Sequence, residues 1–257
     1  MHYFLVFGVF ILLLAILAVS IALGRRMGFE HLKMQPERKL PIVLAAESAV
    51  FGLLGLLIAF TFSGAYDRYE SRKMHLIEEA NVFDRAYNYI DLMPKAIQPE
   101  MRTDMREYFE QYLAAFNDIP YMNKVEKDLA RAQILEDKIW QVVVDANTTT
   151  TDKTSAQIYI VAFNDMFESA HKGYYLTQIH PPDIIFILLI SLAVLGAFLV
   201  GYNSAETKHK WPLHSICYVI LTTFTIYIIA NMEYPRVGFI DLGVFDKIML
   251  EVRNNMK

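Results

Sequence analysis

Glu168-Ser-Ala-His171 places a carboxylate and an imidazole three positions apart, a spacing that puts both on one face of a helix. Di-iron helical bundles use this spacing, but they need two such pairs plus two further Glu. The chain offers one pair; His75 and Glu78 could serve as a partner only in reversed order. Both sets are expected on a solvated surface, and no metal is expected. Ser and His residues occur without a Gly-x-Ser-x-Gly context, and no phosphate loop or zinc motif is present, so neither catalysis nor a cofactor is expected. Cys217 is the single cysteine and lies within an apolar run, which excludes an internal disulfide and a thiolate metal cluster.

A second group of residues matters because of where it stands. Glu47 lies inside an apolar run, where an ionisable group is costly and normally faces a bundle interior or water. It can snorkel to a loop cation such as Lys39, or line a pore entrance as a ring of carboxylates. Ala45, Ser48, Gly52, Gly55 and Ala59 alternate at spacings of three and four, a small-residue stripe that lets helix backbones approach closely in lipid. Its partner is either a helix of the same subunit or an oligomer seam.

The elements that position these residues follow from hydropathy. The chain is 54% hydrophobic with a mean hydropathy of +0.27, too apolar for a soluble domain of 257 residues unless lipid replaces part of its solvent. Net charge is −4 and no Lys/Arg block is present, so nucleic acid is not an expected partner. Four runs meet the roughly 20 apolar residues that a spanning helix needs: about 3–23, 42–63, 184–201 and 215–231. The first could be a cleaved secretory signal, but it is too long, and it lacks a basic n-region and an A-x-A site. The expected architecture is all-α and integral to the membrane: a hairpin over 1–64, a helical polar domain over 65–183, a second hairpin over 184–231 and a tail over 232–257.

Between the hairpins, apolar residues recur at helical spacing, as in Val82, Ala86, Tyr89, Ile90 and Met93. Further helices are expected over Thr103 to Phe116, Val125 to Val144 and Ser155 to Tyr175, with Asn147 to Asp152 as the clearest loop. Residues 65–183 hold 20 Asp and Glu against 13 Lys and Arg. This acidity is either a solvated surface or the lining of a vestibule that favours cations.

The second span and its continuation read Phe51-Gly-Leu-Leu-Gly-Leu-Leu-Ile-Ala-Phe60-Thr-Phe-Ser-Gly-Ala-Tyr66-Asp-Arg68-Tyr-Glu-Ser-Arg72-Lys73. This resembles the signature of bestrophin channels: a Gly- and Leu-rich second helix ending in Phe, a small polar stretch, then Ala-Tyr-x-Arg-aromatic and a basic pair. Phe60, Ala65, Tyr66, Arg68, Tyr69 and Arg72 fill those places. The order of spans, helical domain and spans is similar along the whole chain. The tail from Asn231, with a terminal helix over Phe245 to Met256, is similar to those of distant bacterial bestrophin-like proteins.

The resemblance implies a homopentamer in the bacterial inner membrane that passes small ions, with a hydrophobic neck on the second helix at Phe60, Leu56 and Gly52. Rings of apolar side chains one turn apart can gate by dewetting. Arg68 and Arg72 would be charges at the pore mouth, unless they pair with Asp67, Glu70 and Glu79, the commoner use of such charges on a helix. Two positions depart from the family pattern: Thr61 stands where an Arg follows the neck Phe, and Gly52 would leave the outer neck wide. No acidic run corresponding to the calcium-binding segment of the animal channels occurs near 233–246, so no calcium gating is expected. The acidic domain argues for cations and the Arg68/Arg72 belt for anions; cations are the expectation. A non-conducting membrane anchor whose helical domain recruits a partner is the competing class.

Orientation is contested at this level. Arg25, Arg26, Lys33, Arg38 and Lys39 load the first short connection, and Lys208 and Lys210, beside Trp211, load the second. The positive-inside rule assigns both connections to the cytoplasm. The resemblance instead implies a cytoplasmic helical domain.

Overall fold

The computed structural model describes residues 2–34, 41–117, 122–206, 213–235 and 243–256. Arg38, Lys39, Lys208, Lys210, Trp211 and the tail positions 236–242 lie outside the described residues. Eight α-helices and no strand occur among the described residues: α1 His2–Met34, α2 Pro41–Tyr89, α3 Gln98–Asn117, α4 Met122–Thr149, α5 Lys153–Gln178, α6 Asp183–Asn203, α7 Leu213–Glu233 and α8 Gly243–Asn255. Four stretches, in α1, α2, α6 and α7, are long and apolar enough to cross a membrane. The fold class is therefore the all-α, four-span one that the sequence leads one to expect.

The chain divides into two compact units. One comprises 1–69 with 180–241, the other 70–179 with 242–257. α2 runs unbroken through 49 residues, about 74 Å at 1.5 Å per residue. No Gly-Pro pair or internal proline interrupts it between Ile42 and Tyr89. It ends where a 3₁₀ turn over Ile90–Leu92 precedes Pro94. Pro181 and Pro182 likewise separate α5 from α6.

In the apolar unit, α1, α6 and α7 pack around Leu17, Ile21, Leu189, Ala193, Ala197, Val219 and Ile226. Here the close approach is made by small residues on α1 and α6. A Cβ on Gly24 or Gly28 would overlap the carbonyl oxygens of Phe198 and Tyr202, and one on Gly201 would overlap that of Ile21. Ser20 Oγ donates to the Val194 carbonyl at 2.8 Å. With no hydrophobic driving force between helices in lipid, such contact and bonding supply the association.

In the other unit, Phe83 from the far half of α2 meets Phe109, Tyr112 and Tyr108 of α3 with ring centroids 4.6, 5.5 and 6.1 Å apart. Ile139 and Val143 of α4, Phe163 and Met166 of α5, and Met249 and Val252 of α8 complete this core. α8 is also tied to α3 by Arg253 and Glu110 at 2.7 Å. The loop expected over Asn147 to Asp152 is shorter than the polar composition suggests. α4 continues to Thr149 because the Thr148 and Thr149 hydroxyls donate back to the Asp145 carbonyl at 2.8 and 3.0 Å. Asp152 then caps α5 by accepting from the Ser155 backbone N–H at 3.1 Å.

Candidate functional site: the outward face of the second helix

α2 turns a narrow ridge toward its own chain. Leu54 is buried there, and Phe51, Leu57 and Ile58 are half-buried against the same core. Most other positions over 45–60 face away. Gly52, Leu56 and Phe60, spaced by four and so stacked along one face, are all exposed, Leu56 by 54% and Phe60 by 68%. The small residues Ala45, Ser48, Gly55 and Ala59 are exposed as well. A Cβ added at Gly52 or Gly55 would meet nothing within 4 Å. Within one chain the stripe that the sequence singles out is therefore exposed, with open space at both of its glycines, whereas the close glycine contacts belong to α1 and α6.

Thr61 does not present its hydroxyl to that face. Its Oγ1 donates to the Leu57 carbonyl at 2.7 Å, satisfying itself within the helix as Ser and Thr do in apolar surroundings. Glu47 lies near the ridge side, and its carboxylate accepts from the Asn203 side chain at the end of α6. Lys39, the cation weighed for it, is outside the described residues.

Arg68 and Arg72 find partners far off in sequence. Arg68 donates from Nε and Nη2 to both oxygens of Glu233, at 2.7–3.0 Å. Glu233 is fully buried at the end of α7 and also meets His180 Nδ1 at 3.0 Å. The His180 ring lies 4.6 Å from that of Tyr234. Arg72, itself buried, donates to the carbonyls of Leu176 and Ile179 at 3.0 and 2.9 Å, satisfying acceptors at the C-terminal end of α5 that no helical N–H reaches. Glu70 pairs with Lys73. Nothing in local spacing signals Glu233 or His180, because both come from another part of the chain.

The residues weighed for a metal separate. His75, expected on the surface, is buried: it lies on the core-facing side of α2, where its Nε2 meets the Ser169 carbonyl at 3.0 Å. Its neighbour there is Glu79, at 3.7 Å, and Glu78 is exposed. Gly173 makes room for this polar group, since a Cβ would stand 2.7 Å from the Tyr112 hydroxyl and 2.8 Å from Glu79. His171 pairs with Glu136 of α4 at 3.1 Å, and Glu168 is exposed. Glu136 and His171, with Trp140, Phe167 and Tyr175, line a cleft of about 760 Å³. Burial pushes the Glu136 carboxyl above its ordinary value, partly countered by His171. Among the described residues, no three His, Cys, Asp or Glu side chains gather as metal ligands.

A family model described as "Bestrophin-like domain" matches residues 11–243. The crystal structure of a point mutant of a bacterial bestrophin homolog from Klebsiella pneumoniae superposes with a TM-score of 0.60 at 12% identity, covering 93% of this chain and 98% of that one. No curated protein matches the chain.

Proposed function

The chain belongs to the bestrophin-like family, as a multi-pass membrane protein, and from that premise we propose that it forms a pentameric ion channel in the bacterial inner membrane, lined by α2. Its neck is formed by rings of Phe60, Leu56 and Gly52, with Arg68 and Arg72 in the turns that follow. The observation that carries this reading is the outward column on α2. It is the least buried of the four spans, with 11% of its most apolar window buried against 22–33% in the others. A helix whose small and large apolar side chains both face away from its own chain has surface for copies of itself and for a pore axis. Ala45, Ser48, Gly55 and Ala59 supply the close seam between copies, and the larger Leu56 and Phe60 narrow the axis. An apolar constriction of this kind resists wetting, which is how it holds ions back. Glu47, bonded to Asn203, would act at the entrance only by exchanging that partner.

Monovalent cations are the proposed permeant ions. The excess of seven acidic charges over 65–183 lowers the potential for cations in any vestibule that the helical domain lines, and Glu233 holds the Arg68 guanidinium, reducing its pull on anions. The test is single-channel recording of purified protein in planar bilayers under a salt gradient. Phe60→Ala should raise conductance, and the reversal potential should have the sign of a cation-selective pore. A second reading, a non-conducting membrane anchor for a partner protein, rests on the cleft beside Trp140 and Tyr175, the latter 62% exposed. Silence of both native protein and Phe60→Ala, despite verified insertion of the oligomer, would select it.

A further inference from the structure

We propose that the outward face of α1 at its charged end, formed by Ala22, Arg25, Arg26, Phe29 and Lys33, binds the headgroup of an anionic phospholipid. The apolar run from Phe7 to Leu23 carries no charge and rises about 24 Å, so the residues that follow it stand where hydrocarbon gives way to headgroups. On one side of this segment Ile21, Gly24 and Gly28 are buried, the glycines pressed against backbone oxygens of α6. That contact fixes which way the opposite side faces. Ala22, Arg26, Phe29 and Lys33 recur there at helical spacing, and with the half-buried Arg25 at their flank, Ile21 and Glu30 they line a shallow groove of about 500 Å³.

The groove has the chemistry of a phosphodiester site with a path for acyl chains. The Arg25 guanidinium lies over the Phe29 ring, 5.2 Å from its centroid, which orients a planar donor fork at the interface. Arg26 reaches Glu30 at 3.5 Å, but both side chains are well exposed, at 79% and 60%. A pair of that kind is weak in water, and the guanidinium remains available. Among the described residues that line the groove, Arg25, Arg26 and Lys33 stand with one carboxylate, Glu30. Below them, Ala22 leaves a notch, and Val19, Ala15 and Leu12 continue the same exposed face down the apolar run. A soluble anion would gain only exposed, screened contacts here; a lipid also buries its chains along that face and meets the charges at headgroup depth, where each basic residue contributes appreciably.

Native mass spectrometry of the full-length protein tests this, with phosphatidylglycerol and phosphatidylcholine of identical chains offered in equal amounts. The native chain should retain phosphatidylglycerol at least about tenfold over phosphatidylcholine, with each basic residue contributing about fivefold. Arg25→Gln/Arg26→Gln/Lys33→Gln should abolish the preference, Arg25→Lys/Arg26→Lys should keep most of it, and Lys127→Gln/Arg131→Gln on α4 should leave it unchanged. Equal retention of both lipids by native protein would overturn the proposal, as would a preference that survives the triple substitution or falls equally with the α4 substitutions. Stabilisation by glycerol 3-phosphate equal to that by the lipid would also overturn it, by removing the need for acyl chains. A changed subunit number in the triple variant would assign the face to a second copy instead. If the triple variant does not fold, the native chain's lipid ratio and the Arg-to-Lys variant decide the matter.

Discussion

Glu233 ends α7 with no exposure to solvent, and among the groups that reach it are the Arg68 guanidinium and the His180 ring, from 165 and 53 positions away. A buried carboxylate is stable only while such partners hold it, and removing one partner leaves most of the desolvation cost in place. Arg68→Met should therefore destabilise the protein by about 3 kcal/mol or more, measured by unfolding in detergent. Arg68→Met/Glu233→Met should recover much of that loss, because removing both charges removes the need for pairing. A double variant as unstable as the single one would show that Arg68 contributes packing rather than compensation. From the sequence, Arg68 has Asp67 and Glu70 beside it and no hint of Glu233: helical spacing discloses only partners within a turn or two. The burial of His75 is illegible in the sequence for a related reason. A polar residue in a polar segment looks solvated until the Ser169 carbonyl that satisfies it is known.

At the scale of elements, helices were legible because their causes are local. Apolar periodicity located α3, α4 and α5, and uninterrupted hydropathy located the four spans. What escaped was where they stop, since the threonines that look like a loop return their hydroxyls to the Asp145 carbonyl and prolong α4. The true junction is at Asp152, whose hydrogen bonds from the Ser155 side chain and backbone hold its carboxyl below the ordinary Asp value. A carboxyl lowered in the folded state adds stability that is present above the unfolded value and is lost as pH falls through the folded one. Asp152→Ala should thus lower the melting temperature at neutral pH, and the gap to the native chain should close as pH drops below the ordinary Asp range. A gap that stays constant down to that pH would mean that the cap acts through helix geometry alone.

For the whole molecule, the two sets of small residues make opposite demands, and substitution separates them. Gly201 touches the backbone of α1, so even Gly201→Ala must push two helices apart; a loss of about 1–3 kcal/mol in the fold of the single chain is expected. Gly55 has open space where its side chain would be, so Gly55→Leu should leave that fold within about 0.5 kcal/mol of the native one. Hydropathy could not distinguish these positions, because a face turned to lipid, to a sister subunit or to a neighbouring span is apolar in every case. If α2 forms the seam between copies, Gly55→Leu should nevertheless break or loosen the oligomer, read as a shift in subunit number by native mass spectrometry, and should abolish current in bilayers. A Gly55→Leu protein that keeps its subunit number and conducts like the native one would place α2's small-residue face against lipid, and the pore axis would have to be sought on another helix.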